Sequence, residues 1–411
     1  MTRRRSLVLY LLAMLAALAT TQPIPARADD DGKKDKVSVR CGKGKTINDV
    51  LAERRGPLTI EVVGTCFEHV TVASNDVTLV AGTSVSGIQG TNQNQDTLTV
   101  TADRFVLDGL HVTGGRNAIV VTGSQAQLRN CTAQASGSAI LSGIGILFSQ
   151  GSNGSVDNCD SNSNPADGIF LDGAVVTITN SRFVGNNRVG VFVFGGSTGR
   201  IGFTSALLPA APNIIRNNAG NGIQVALGSM GLIHGNFVTG NGTNPTSPLG
   251  RFGIFVLHSR VDLPGKNTIT GNFWSGIGIR GSTAIIGDPG FNQPTDNLIR
   301  GNNLAALPNE GGVSLALGST AVLRNATIDA NNGAGVALSE RSTAVLFSAN
   351  VTNNTANGVQ LIQGSGVVFR PNEPRSVISS NTPFDLQCFD TESSITTGYA
   401  GSPTIDGCTG F

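Results

Sequence analysis

From Ser319 the chain reads STAVLRNATIDANNGAGVALSER, and from Ser342, 23 positions later, STAVLFSANVTNNTANGVQLIQG. A third start, SGVVF, follows at Ser365 after the same interval. A fixed period of this size marks a solenoid, because one unit cannot bury its apolar side alone and closes a core only against its neighbours. The first unit carries three short alternating pieces, TAVL, ATID and GVAL. Alternation with period two is the pattern of half-buried strands. Three strands and three turns in 23 residues predict one coil of a right-handed parallel β-helix. The hexapeptide-based coil of a left-handed helix is absent.

The best-defined element is Asn, three residues, Gly, then an alternating strand. It occurs at Asn186/Gly190, Asn218/Gly222, Asn272/Gly276, Asn331/Gly335 and Asn354/Gly358. Stacked coils about 4.8 Å apart set these asparagines above one another, where their amides can hydrogen-bond in a ladder. The glycine reads as a left-handed or a tightly packed corner. With 54 glycines in 411 residues, about twice the usual share, the composition suits many brief strands and many turns.

The six cysteines suggest Cys41–Cys66, Cys131–Cys159 and Cys388–Cys408 as sequence-neighbour pairs, out of about 15 pairings that six cysteines permit. LRNC ending at Cys131 and VDNC ending at Cys159 share one register, so these two should stack on adjacent coils, oxidised or reduced. KTINDVLAERRG predicts a short amphipathic helix at the front end. The tail from Phe384 breaks the period. Both ends therefore read as caps over strand edges that would otherwise invite aggregation. The expected organisation is all-β: an N-terminal cap over 38–69, about twelve coils of 22–28 residues over 70–385, and a disulfide-pinned C-terminal cap over 386–411.

Ahead of the cap, three arginines precede an apolar run from Leu7 to Leu18, and Ala26-Arg27-Ala28 is a small-residue cleavage site. Residues 1–28 read as a secretory signal peptide and 29–37 as a solvated, disordered leader. Cleavage leaves 24 basic against 27 acidic side chains. This chain has no basic footprint for nucleic acid, and no later run is long enough to span a bilayer. The expected location is exported, periplasmic or extracellular.

Four insertions fall at one equivalent turn, which in the regular coil is only Arg324-Asn325. They are 203–213, 263–267, 287–297 and 370–376; a second corner carries 242–251 and 303–311. Loops that lengthen at one corner form a rim, the usual place for a cleft on a solenoid.

With VLDGLHVTGG and TAIIGDPGFNQPTDNLIRGNN, the chain resembles the pectate-lyase-like superfamily of secreted right-handed β-helix proteins over roughly residues 70–385. The resemblance implies the fold and a polysaccharide-related activity without choosing among lyases, hydrolases, epimerases, depolymerases and adhesins.

Catalytic motifs of those enzymes are missing, so candidates come from the register. Asp157, Asp160, Asp167 and Asp172 lie on one coil and Arg182 and Arg188 on the next. Such a group could hold Ca²⁺ through carboxylates, bind a uronate through arginine, or form a cross-coil ion-pair ladder. Asp108 and His111 are a weaker pair. The outward positions of the last strand of each coil place Phe170, Phe192, Phe194, Phe255 and Leu257 in an apolar stripe flanked by His258 and Arg280. An exposed stripe marks contact, with sugar rings, with a protein partner, with a second copy, or under a covering loop. No metal site is expected beyond the Ca²⁺ reading. Two functions follow: an exported β-helix that binds extracellular polysaccharide or a cell-surface partner, and a lyase, hydrolase or epimerase on an acidic glycan.

Overall fold

The computed structural model describes residues 35–54, 56–137, 142–203, 211–244, 250–287, 297–370, 375–396 and 403–408. The chain divides into residues 1–35 and 36–411, and the second unit holds the repeats. The signal-peptide reading lies outside the described residues, as do the middles of the insertions at 203–213, 242–251, 287–297 and 370–376.

Each coil visits three sheets in turn. The coil from Thr320 runs through Thr320–Arg324, Ala326–Asp329 and Ala334–Leu338 before the next begins at Thr343–Phe347. Among the described residues the first sheet has 15 strands, the third 14, and the second is split into runs of 4 and 8. Strand pairing is parallel, and the repeats stack in register: Val322 on Val345, Ile328 on Val351, Val336 on Val359. The longest sheet exceeds twelve strands because both ends donate strands to it. Asp35–Arg40 joins at the front, which takes Asp35, Lys36 and Val37 out of the expected leader; Lys36 pairs there with Glu61. At the back, Leu386–Cys388, Ser394–Thr396 and Ile405–Asp406 carry the stacks on past residue 385. The inward positions, such as Ile254, Ile277, Val313, Val336 and Val359, have no solvent exposure and form one continuous core.

The corners explain the sequence motif. Asn164, Asn186, Asn218, Asn241, Asn272, Asn302, Asn331, Asn354 and Asn381 form one buried column, each donating its Nδ2 to the Oδ1 of the next, as Asn272 does to Asn302 at 2.9 Å. The residue before each member turns the chain through a left-handed conformation, whether glycine (Gly185, Gly240, Gly271, Gly301) or not (Ser163, Asn217, Ala330, Asn353, Ser380). The motif glycine is the tightly packed corner of the two readings. A Cβ on Gly276 would lie 2.7 Å from Ile299 and 2.8 Å from the Asn302 amide. A second amide column, Asn213, Asn236, Asn267 and Asn297, continues a line begun by Cys131, Cys159 and Ser181. Cys131 and Cys159 are joined with Cα atoms 4.5 Å apart, a distance that adjacent parallel strands supply.

The front end is closed by helix α1 (Ile47–Glu53). Thr46 and Asp49 form a capping box, and the Glu68 carboxylate accepts from the backbone N–H groups of Ile47 (2.9 Å) and Asn48 (3.2 Å), so the donors at the helix start are satisfied. Ile47 and Val50 face the core, and Cys41–Cys66 holds the cap on. Cys388–Cys408 pins the tail. The insertions at 203–213, 287–297 and 370–376 fall between the first and second sheets, as in the step from Thr198–Ile201 to Ile214–Arg216. Those at 242–251 and 303–311 fall between the second and third, and Leu263–Gly265 belongs to the first-sheet strand Arg260–Gly265 instead of an insertion.

Candidate functional site

The aspartate constellation does not converge. Asp157 ends a first-sheet strand and accepts from Thr179 Oγ1 (2.7 Å) and Asn180 Nδ2 (2.8 Å). Asp160 bridges to Arg182 in the second sheet, their charges 3.6 Å apart and both half-exposed. Asp172 ends a third-sheet strand opposite Phe194. Asp167 is fully buried at the corner between; its Oδ1 accepts from Val189 N–H at 3.0 Å, and Oδ2 lies 3.5 Å from Arg188. Burial pushes the Asp167 carboxyl up to about 6, against the pull of Arg188 and the Val189 N–H. The coil carries successive residues around its perimeter, so four neighbours in sequence face four directions. The register is as expected; the shared site is not formed. Among the described residues no group of three carboxylate, histidine or cysteine side chains could hold a metal. Asp108 and His111 separate likewise: Asp108 takes Arg129 (3.0 Å) and Asn130 (2.8 Å), while His111 Nε2 meets Ser84 O at 3.0 Å.

The aromatic stripe exists but is not an open face. Phe170, Phe192 and Phe194 pack against one another, with ring centroids 4.9–5.7 Å apart, over Val189, Ala226 and Leu257. Phe192 is only 5% exposed. Phe255 is stacked under Phe252 at 4.8 Å, and Trp274 meets the edge of Phe252. Arg280 is bound to Glu310 at 2.8 Å, and Glu310 also accepts from Ser275 and Ser314. The segment 303–310 reaches on to Gln360, whose Nε2 donates to Asn309 Oδ1 at 3.2 Å. Thus the rear coils of the third sheet are strapped by the chain's own loop, at Arg280, Ser314 and Gln360, beyond the phenylalanines of the stripe. His258 stands exposed at a left-handed corner beside Gly281.

An open groove of ≈ 580 Å³ lies elsewhere, on the front coils of the second sheet. Strands Gly87–Gly90, His111–Gly114 and Thr132–Gln134 place Gln89, Thr113 and Gln134 side by side, facing out because Ile88, Val112 and Ala133 face in. Thr91 and Gln93 form one wall, Ser136 another, and Phe67, 68% exposed, stands at the edge. The floor is close-packed backbone: a Cβ on Gly114 would sit 2.3 Å from Gly90 O. The Thr91 wall is held rigidly. Asn92 N–H donates to His69 Nε2 (3.0 Å), which leaves the proton on Nδ1 to meet Asp96 O (2.9 Å). The Asp96 carboxylate takes Arg116 through two nitrogens (2.9 and 2.5 Å) and Asn117 Nδ2 (2.9 Å). That hydrogen bonding raises the Arg116 guanidinium pKa, so the pin stays charged. The groove draws one outward residue from each of three coils. Only the polar run TNQNQD hints at it in the sequence.

The family model described as "Right handed beta helix region" matches residues 62–260, 167–306 and 244–409. No curated protein matches the chain. Among solved structures, the A-module of mannuronan C-5 epimerase AlgE6 from Azotobacter vinelandii is similar at 16% identity and TM-score 0.48, covering 88% of this chain and 94% of its own. The periplasmic alginate epimerase AlgG gives 11% and 0.46, covering 91% and 82%. An α-1,3-glucanase from Streptomyces thermodiastaticus gives 14% and 0.46, covering 92% and 71%. At such identities the likeness is one of fold.

Proposed function

We propose, from the premise that the chain belongs to the right-handed β-helix family, that it is an exported protein binding extracellular polysaccharide in the groove of Gln89, Thr113 and Gln134. The observation that carries this is the groove's lining: three glutamines, two threonines, one serine and one exposed phenylalanine, with no charged side chain. Amides and hydroxyls exchange hydrogen bonds with sugar hydroxyls, and an aromatic face stacks on the C–H face of a pyranose. The Asp96–Arg116 pin fixes the wall beforehand, so less ordering is lost on binding. None of these side chains transfers a proton readily at neutral pH, which favours holding a glycan over cleaving one. Export fits the arginine-led apolar start and the three cystines, which persist in oxidising compartments. No helix among the described residues is long and apolar enough to cross a membrane.

The test is a panel of neutral and acidic polysaccharides presented to the full chain, reading both binding and chain cleavage. Phe67→Ala and Gln134→Ala should each weaken retention of a neutral glycan by about tenfold, roughly 1.4 kcal/mol, with unchanged thermal melts. Retention indifferent to both changes would sink the groove reading. Release of shortened or unsaturated product would favour the lyase, hydrolase or epimerase reading instead.

A further inference from the structure

We infer that the last coils carry a second site, for an acidic polysaccharide, at Arg324, Phe347 and Arg370 on the outer face of the first sheet. Phe347 ends strand Thr343–Phe347 and is half-buried, with Arg324 opposite it in register on the preceding coil. Leu346 lies opposite Phe369, so Arg370 falls on the other side of the ring. The guanidinium carbons lie 4.5 Å (Arg324) and 5.7 Å (Arg370) from the ring centroid.

Many of the other arginines are neutralised by a carboxylate. Arg104, Arg116, Arg129, Arg260 and Arg300 each hold an aspartate at 2.5–3.2 Å. Among the described residues Arg324 and Arg370 form no such pair and meet only the ring; Arg324 Nε is shielded from solvent without a hydrogen-bond partner. A guanidinium over an aromatic ring is held in place while its terminal N–H groups remain suited to two parallel bonds with a carboxylate or sulfate. Here two of them stand two coils apart, about 10 Å at the usual strand spacing. One small anion cannot reach both. A polymer that repeats an anionic group and runs along the solenoid axis can. Beside them Val322, Val345 and Val368 form a half-buried ridge on which the apolar faces of sugar rings can lie, and Thr320 and Thr343 add a hydroxyl column. This site is charged and lies on another sheet at the other end of the stack from the neutral groove, so the two stand or fall separately.

The test uses the full chain on immobilised polygalacturonate, which offers carboxylates, and on dextran sulfate, which offers sulfate esters, at low and high salt. The double change Arg324→Gln/Arg370→Gln should cost about tenfold or more in affinity and flatten the salt dependence, as expected for lost ion contacts. Phe347→Leu should cost several-fold by releasing both guanidiniums. Arg341→Gln, an exposed arginine at another corner, should change nothing, and neutral-glycan retention by the groove should survive all three. The polymer that loses affinity identifies the anion. Binding to neither polymer, binding unchanged in the double variant, or an equal loss in Arg341→Gln would overturn the site.

Discussion

Asp167 shows how one residue's place on the coil decides its chemistry. Its carboxyl sits without solvent exposure and is pushed up to about 6 by burial, with Arg188 and the Val189 N–H only partly offsetting this. The folded chain therefore keeps a proton between about pH 4 and 6 that the unfolded chain has released. Stability from this group is full below about pH 4 and is lost as pH rises to about 6. Asp167→Asn should remove that slope. It should match the parent in guanidinium melts at pH 4 and exceed it at pH 7 by up to about 3 kcal/mol. A parent that is the more stable at pH 7 would mean that the Arg188 ion pair outweighs the desolvation. The sequence alone places Asp167 beside Arg188–Val189 correctly, since the period supplies the register. It does not say that Asp160, only three residues past Asp157, points elsewhere; a coil turns its neighbours in different directions.

The element that organises the solenoid is the amide column. Asn272 accepts from Asn241 N–H and Nδ2 and donates to Val238 O and Asn302 Oδ1, all buried. Asn272→Ala would strip partners from several buried polar groups at once. The expected cost is about 2–4 kcal/mol in urea melts, from the desolvation of groups left unpaired. A cost under about 0.5 kcal/mol would mean that water or a repacked corner replaces the amide. Six members of this column are legible as Asn-x-x-x-Gly, because Asn164 stands four residues before Gly168 in NPADGIFL and so extends the five copies first recognised. Asn241 and Asn302 escape because insertions separate each from its glycine, and Asn381 because Asp385 takes the glycine's place. Insertions also hid the fate of the aromatic stripe. Alternation correctly turns Phe192 and Phe255 away from the core, but whether an outward side chain meets solvent depends on what folds over it. Phe170 and Phe194 cover Phe192, and Phe252 stacks on Phe255 from another corner.

For the solenoid of residues 36–411 as a whole, stability is close to a sum over coils and their interfaces, so its ends should open before its middle. The C-terminal strands Leu386–Cys388 and Ile405–Asp406 pair with each other and are tied by Cys388–Cys408. Cys388→Ser/Cys408→Ser should abolish hydrogen-exchange protection in these strands while leaving Leu58–Val63 and the central coils protected. Loss of protection throughout would show that the coils unfold as one cooperative unit. The repeat determined the solenoid, its register and its amide and cysteine columns, because each of these depends on contacts between a residue and its counterpart one repeat away; the caps are legible as the places where the repeat stops. Such contacts are written into the repetition itself. The groove, the strap over the third sheet and the Arg324–Phe347–Arg370 stack depend on outward side chains and on loops that cross several coils, as Gln360 meets Asn309 51 residues away. The core places no constraint on those positions, so no periodicity announces them, and only the tertiary structure decided which of them face solvent together.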